Sequence, residues 1–170
     1  MNTPVTLLMV CLGNICRSPS AQAVMEQRIT AAGLQDRIKV DSAGTAAYHI
    51  GKQPDPRSAQ AAARRGYDLS SQRARQVAVE DFAHFDYILA MDSQNLNHLL
   101  RMAPEDTAGK VSLLLSHAAL STQDVPDPYY GGDDGFEQVL DLIEQACDVL
   151  LATVRTRLHD SRDHQSMGVN

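Results

Sequence analysis

The chain has 170 residues, 44% of them hydrophobic and 21% charged, the balance of an ordinary globular domain. A formal net charge of -6 excludes the basic face of a general nucleic-acid binder. Three cysteines, an odd number, exclude a disulfide scaffold, and no stretch approaches the ~20 apolar residues that span a bilayer.

Residues 5–12 lack a basic n-region and run straight into Gly-Asn, so they do not read as a signal peptide. The expectation is a reducing cytoplasm, free thiols, and neither nucleic acid nor membrane as partner. In chain order, "VTLLMV" (residues 5–10) is a continuous apolar run, the pattern of a strand buried on both faces. Ser18-Pro19 marks a helix start, because proline is tolerated in the first turn. Ala21, Val24, Met25 and Ile29 recur at helical spacing, and Gly33 closes that helix. "IKVDS" (38–42) predicts a second strand and "PRSAQAAARRG" a helix over 56–65, with Arg64 and Arg65 as solvated surface. "DYILAMD" (86–92) predicts a third strand, residues 93–102 a helix, and "KVSLLL" (110–115) a fourth strand.

The last helix has the clearest pattern. Asp134 and Glu137 stand at capping-box spacing. Phe136, Leu140, Ile143, Cys147, Leu150, Val154 and Leu158 fall on one face, with Cys147 as core. From His159 the periodicity lapses, so residues 1–158 are expected as a single domain and 159–170 as a flexible tail. Strands separated by helices imply βαβ crossovers, a parallel sheet and a three-layer α/β sandwich. Ligands of such sheets bind beyond the carboxyl ends of the strands, and "VCLGNICRSPS" (10–20) lies at one of those ends.

In that loop, successive main-chain N–H groups can curl round an anion, aided by the following helix terminus. Gly13 removes a side-chain clash and Asn14 tolerates left-handed dihedrals. Arg17 offers a planar fork that matches two phosphate oxygens. Cys11 starts the curl, and such a field lowers a thiol pKa from ~8.5 to ~3.5–7.5. A thiolate beneath a bound phosphoryl group is placed for in-line attack. Ser18 reads equally well as a donor to the Cys11 sulfur and as the helix N-cap. Zinc would need about four ligands where two cysteines stand, and the Walker sequence is absent. Cys16 reads as a buried spectator or as a resolving thiol for an oxidised Cys11.

Expelling an aryl oxygen needs an acid, and "VPDPYYGG" offers Asp127 between two prolines. Flanking rings, Tyr129 and Tyr130, are expected to desolvate that carboxyl and raise its pKa. They would also line a slot selecting flat aryl phosphates on a long side chain. Activity is expected to peak on the acidic side of neutrality, where Asp127 is protonated and Cys11 ionised.

With both segments present, the sequence closely resembles the low-molecular-weight protein tyrosine phosphatase family. "VCLGNICRSP", "DSAGT", "PDPR", "RARQ", "DFAHFDYILAMD", "NL" at Asn95 and "DPYYG" carry the resemblance, from about Val5 to Leu158. It implies a four-stranded parallel sheet flanked by helices, a flavodoxin/Rossmann-like arrangement. It implies Cys11 as nucleophile, Arg17 as phosphate clamp, and Asp127 as general acid and then base, with no metal and no cofactor. The phosphate-binding loop (P-loop) comprises Leu12, Gly13, Asn14, Ile15, Cys16 and Ser18. Asn14, Ser18 and Ser42 resemble its supporting shell, and Tyr48, Tyr129 and Tyr130 the slot walls. Gln72 replaces a histidine frequent in that shell. Partners implied are phosphotyrosine-containing proteins, a tyrosine kinase among them, for a chain that is monomeric or weakly self-associating.

Two rival reactions share the scaffold. Arsenate reduction passes oxidation to further cysteines, and none lies between Cys16 and Cys147. Phosphoarginine hydrolysis tends to go with threonine where this chain has the apolar Ile15. A binding module without turnover would be expected to lack Cys11 or Asp127.

Overall fold

The computed structural model describes residues 3–130 and 133–167. Four strands, β1 (Val5–Cys11), β2 (Ile38–Gly44), β3 (Tyr87–Ala90) and β4 (Val111–Leu113), form one parallel sheet in the order β2-β1-β3-β4. The helices are α1 (Arg17–Ala31), α2 (Pro56–Arg64), α3 (Asp81–His84), α4 (Ser93–Met102) and α5 (Asp133–Met167).

Strand β1 is central because its side chains can be buried on both faces. Leu7, Leu8, Met9 and Val10 expose no surface, and burying such a side chain contributes roughly 1.5–3 kcal/mol. The two-residue period of a strand divides them between layers. Leu7, Met9 and Cys11 pack with Val24, Met25 and Ile143 of α1 and α5. Leu8 and Val10 pack with Phe82, Ile88 and Leu99. The three-layer sandwich follows from that alternation.

β2 and β3 flank β1 on opposite sides, with Cys11 opposite Gly44 and Val10 opposite Ala90. The crevice between the ends of β1 and β3 is therefore the topological switch point of the sheet, where α/β ligands bind.

Several sequence expectations change in the structure. The fourth strand is shorter than residues 110–115: β3 ends at Ala90, opposite Leu113, so Leu114 and Leu115 lose their partner and turn into a buried 3₁₀ segment. The capping box at Asp134 does not form. Helix α5 already includes Asp133, and the Glu137 carboxylate instead accepts from Arg65 Nη2 at 2.6 Å. Arg65 is accordingly not a solvated surface residue but a strut from the end of α2 to Glu137 and Asp141 of α5. The predicted apolar stripe from Phe136 to Leu158 is buried. The helix itself continues beyond it to Met167. Residues 159–167 contain neither glycine nor proline, so nothing in their composition breaks the helical backbone after Leu158.

Candidate active site

Residues 12–16 connect the end of β1 to α1, and the loop's shape is set by where its carbonyls point. The oxygens of Cys11 and Leu12 accept from the N–H groups of Thr45 and Ala46, both at 2.9 Å. The Ile15 oxygen accepts from Asp55 N at 2.8 Å, and the Cys16 oxygen from Ser20 Oγ at 3.0 Å. In a trans planar peptide the N–H points opposite the preceding carbonyl. The N–H groups of Leu12, Gly13, Cys16 and Arg17 therefore turn away from these partners, toward the concave side of the loop. N–H groups so turned, at the N-terminus of a four-turn helix, are an arrangement that can hold an anion.

Asn14 locks the curl. Its φ of 58° is a left-handed conformation that asparagine tolerates better than most residues. Both of its amide protons and its oxygen are engaged: Nδ2 donates to Ser18 Oγ at 2.8 Å and Ser42 Oγ at 3.0 Å, and Oδ1 accepts from Arg75 N at 3.0 Å. Arg75 is itself held by Asp41 and Asp81. Ser42 Oγ donates to Gln22 Oε1 at 2.8 Å, with Gln72 Oε1 at 3.4 Å. Gln72 also donates to the Pro19 carbonyl. Gln72 thus keeps a place in the supporting shell as a neutral donor and acceptor.

Ser18 lies inside the first turn of α1, while the N-cap position is Cys16, without a side-chain cap. The N-cap reading of Ser18 is corrected: its hydroxyl accepts from Asn14 and lies 3.0 Å from Cys11 Sγ. The Ala43 carbonyl also lies within reach of this hydroxyl, at 3.5 Å. Burial first, then the charges of Asp55, Cys11 and Asp127, push the Cys16 thiol up to about 12. Cys16 is therefore a neutral thiol at physiological pH, and Cys147, fully buried, is shifted the same way by burial.

Arg17 is buried, with Nη1 donating to Asp92 Oδ2 at 2.6 Å and to the Val125 carbonyl at 3.1 Å. Its Nη2 lies 3.5 Å from Asp127 Oδ2. Burial opposes the guanidinium charge, but Cys11, Asp92 and Asp127 outweigh it and hold the Arg17 pKa above its ordinary value. Asp92 stands immediately beyond β3 and also caps α4, accepting from Asn95 N at 2.8 Å. One carboxylate thus orients the arginine and starts a helix.

Asp127 is less desolvated than its neighbours in sequence imply: its side chain is 34% exposed and accepts from Tyr129 N at 3.0 Å. The loop that carries it is pinned at Val125, whose N–H donates to Met91 O. A second pin is Arg57, which donates to the Tyr129 carbonyl at 3.0 Å and stands over the rings of Tyr129 and Phe136. Asp55 grips Arg57 and its N–H reaches the Ile15 carbonyl. Burial opposes ionisation of Asp55, yet the hydrogen bonds from Arg57 hold its carboxyl below the usual range. The "PDPR" segment is therefore a brace between the two functional loops.

These residues surround a cleft of about 280 Å³ lined by Cys11, Gly13, Ile15, Arg17, Asp127 and Tyr129, with Leu12, Cys16 and Tyr48 also at its walls. Tyr48 is 73% exposed and Tyr129 40%, so both form the rim rather than the floor. The Tyr130 side chain lies outside the described residues. His49 is a wall that sequence reasoning missed; its ring sits 6.4 Å from both Tyr48 and Tyr129. Asp92, Arg57 and Gly44 were missed as well. Gly44 has a readable role only in three dimensions: a Cβ there would lie 2.7 Å from the Leu12 carbonyl and 3.1 Å from Asn14 N. Among the described residues no group of three or more His, Cys, Asp or Glu is arranged to hold a metal ion, and no helix is long and apolar enough to cross a membrane.

The model of the low molecular weight phosphotyrosine protein phosphatase family matches residues 6–160. A low molecular weight protein-tyrosine-phosphatase of Streptomyces coelicolor is 46% identical over 153 residues, covering 88% of this chain and 93% of that protein. The human low molecular weight phosphotyrosine protein phosphatase is 42% identical, covering 86% and 93%. A crystal structure of a protein tyrosine phosphatase from Entamoeba histolytica, with Hepes in the active site, superposes with a TM-score of 0.87. It is 43% identical, over 89% of this chain and 97% of that one. By this match over most of its length and these identities, the chain belongs to the low molecular weight phosphotyrosine protein phosphatase family.

Proposed function

We propose that the cleft hydrolyses the phosphate monoester of tyrosine side chains in two steps through a phosphocysteine. The observation that carries this reading is the Cys11 sulfur 3.0 Å from the Ser18 hydroxyl, in the same cleft as Arg17 and Asp127.

In the first step the phosphoryl oxygens occupy the concave side of the loop and the Arg17 fork. The Cys11 thiolate attacks phosphorus in line; the S–P bond forms as the bond to the aryl oxygen breaks. Asp127 gives its proton to that departing oxygen. In the second step Asp127 takes a proton from water as the water oxygen attacks phosphorus, releasing phosphate and returning the sulfur as thiolate. Ser18 donates to the sulfur and stabilises it as a leaving group. Leu12, Gly13, Asn14, Ile15 and Cys16 supply the loop, and Asn14, Ser18 and Ser42 keep its shape.

The substrates in this reading are phosphotyrosine-containing proteins, a tyrosine kinase being one carrier of such residues. The exposed rims of Tyr48 and Tyr129 support this, since flat rings at the mouth suit an aryl ester. Three free cysteines accord with a reducing cytoplasm. Cys16 is assigned as redox partner of Cys11 on its place in the same loop. The apolar Ile15 and the absence of cysteine between Cys16 and Cys147 favour phosphotyrosine over phosphoarginine or arsenate. Parallel assays of phosphotyrosine, phosphoarginine and phosphoserine peptides test the reading; faster turnover of phosphoarginine or phosphoserine would replace it.

A further inference from the structure

A second hollow, of about 330 Å³, adjoins the catalytic cleft. Leu12 lines both, so a chain whose phosphorylated side chain enters the cleft passes over Leu12 into this hollow. Leu12 is partly exposed at that divide, while Thr45 and Asn95 behind it are buried. The side-chain oxygen of Asn95 is buried with no hydrogen-bond partner among the described residues, although the Asn95 main-chain N–H is held by Asp92. A buried amide oxygen left in that state calls for a donor.

The outer wall is one stripe of α4. Gln94, Asn97, His98 and Arg101 line the hollow and stand at i, i+3, i+4 and i+7, a single helix face. The acids near the start of α4 are engaged elsewhere: Asp92 with Arg17, and Asp124 with Ser93. Arg101, at the other end, is exposed and enters no ion pair among the described residues. The hollow is therefore lined by a residue whose buried amide oxygen is unpaired and by an uncompensated cation at its far end.

We propose that this hollow is a peptide subsite, in which a main-chain N–H beside the phosphotyrosine is donated to Asn95 Oδ1 and an acidic side chain pairs with Arg101. The proposal rests on the phosphotyrosine reading of the cleft. From Gln94 to Arg101 the helix rises about 10 Å, and an extended peptide advances about 3.3 Å per residue. That wall spans about three residues of an extended peptide, so the acidic residue lies a few positions away, on one side of the phosphotyrosine.

The test is a set of phosphotyrosine peptides with glutamate, glutamine or lysine at each of the three positions on either side. Each kcat/KM is divided by that for p-nitrophenyl phosphate, which is too small to reach Arg101. In the parent protein at low ionic strength, glutamate is expected to exceed lysine about three- to tenfold at one position on one side of the phosphotyrosine. In Arg101→Glu the order at that position reverses. Equal rates for glutamate and lysine at every position, or a preference that persists in Arg101→Glu, would overturn the subsite. Absence of hydrolysis of p-nitrophenyl phosphate by the parent protein would instead overturn the phosphatase reading on which the subsite depends.

Discussion

Arg17 and Asp92, 75 residues apart, meet at 2.6 Å across the switch point of the sheet. The pair joins the first residue of α1 to the N-cap of α4, just beyond β3, so the two halves of the cleft are tied together by an ion pair. Because Arg17 is buried, removing its partner leaves a poorly compensated charge, a change that costs about 3–5 kcal/mol in buried pairs. Asp92→Ala is expected to destabilise the fold on that scale, with a share from the lost helix cap of about 1 kcal/mol. Asp92→Asn keeps the cap and one hydrogen bond, and should recover most of the stability while kcat/KM for aryl phosphate falls about tenfold to a hundredfold. Denaturant unfolding with steady-state kinetics checks both. Parent-like kinetics in Asp92→Ala would remove Asp92 as the positioner of Arg17.

Two glycines near the loop separate backbone need from side-chain need. A Cβ on Gly44 meets main-chain atoms of Leu12 and Asn14, at 2.7 and 3.1 Å, which cannot move without reshaping the loop. A Cβ on Gly13 meets only the His49 and Ile15 side chains, the nearest contact being the His49 ring at 2.9 Å, and a surface side chain can swing aside. Gly44→Ala is thus expected to lower kcat/KM at least about tenfold more than Gly13→Ala. Equal effects would mean that the loop is not seated on β2 as described.

The three thiols should differ in reactivity. Burial raises Cys16 and Cys147, so a thiolate-selective alkylating agent at neutral pH is expected to label Cys11 first and the other two only on unfolding. Peptide mapping after brief labelling reads this out; early modification of Cys16 would contradict it. The same shift has a stability consequence. Below pH 9 both the folded and unfolded chains keep the Cys16 proton. Above it the unfolded chain releases that proton while the folded chain holds it to about 12. Stability therefore falls as pH rises through this window, by about 1.4 kcal/mol per unit for this group. Cys16→Ala should flatten that part of the curve.

Much of the site can be read in the sequence because its chemistry is contiguous. "CLGNICRS" places Cys11, the curled loop and Arg17 within one short stretch of loop and helix, and the continuous apolar run of residues 5–10 announces a strand buried on both faces. What stays hidden comes from residues that act at a distance. Nothing near Asp92 in the chain marks it as the partner of Arg17. Gly44 shows its purpose only when β2 is laid beside β1. The capping box at Asp134 has the right letters, but Arg65 competes for Glu137 and wins with a charge. Likewise "KVSLLL" has the composition of a longer strand, and only the early end of β3 shortens it.

Asp127 is expected to act on the leaving oxygen alone in the first step. Asp127→Asn should slow phenyl phosphate by about 10²–10⁴, and slow p-nitrophenyl phosphate, whose leaving group needs little protonation, far less in the phosphoryl-transfer step. Single-turnover kinetics with a series of substituted phenyl phosphates checks it as a steeper dependence on leaving-group pKa in the variant. An unchanged slope would take the acid role away from Asp127.

The most direct measurement is acid quenching of the protein during turnover of an aryl phosphate, followed by mass mapping of the phosphoryl group. We expect it on the peptide containing Cys11, enriched in Asp127→Ala with a readily departing aryl group, and absent in Cys11→Ser, which should bind phosphate without turning over ester. Hydrolysis at near the parent rate in Cys11→Ser, or a phosphoryl group mapped to any other residue, would contradict the account.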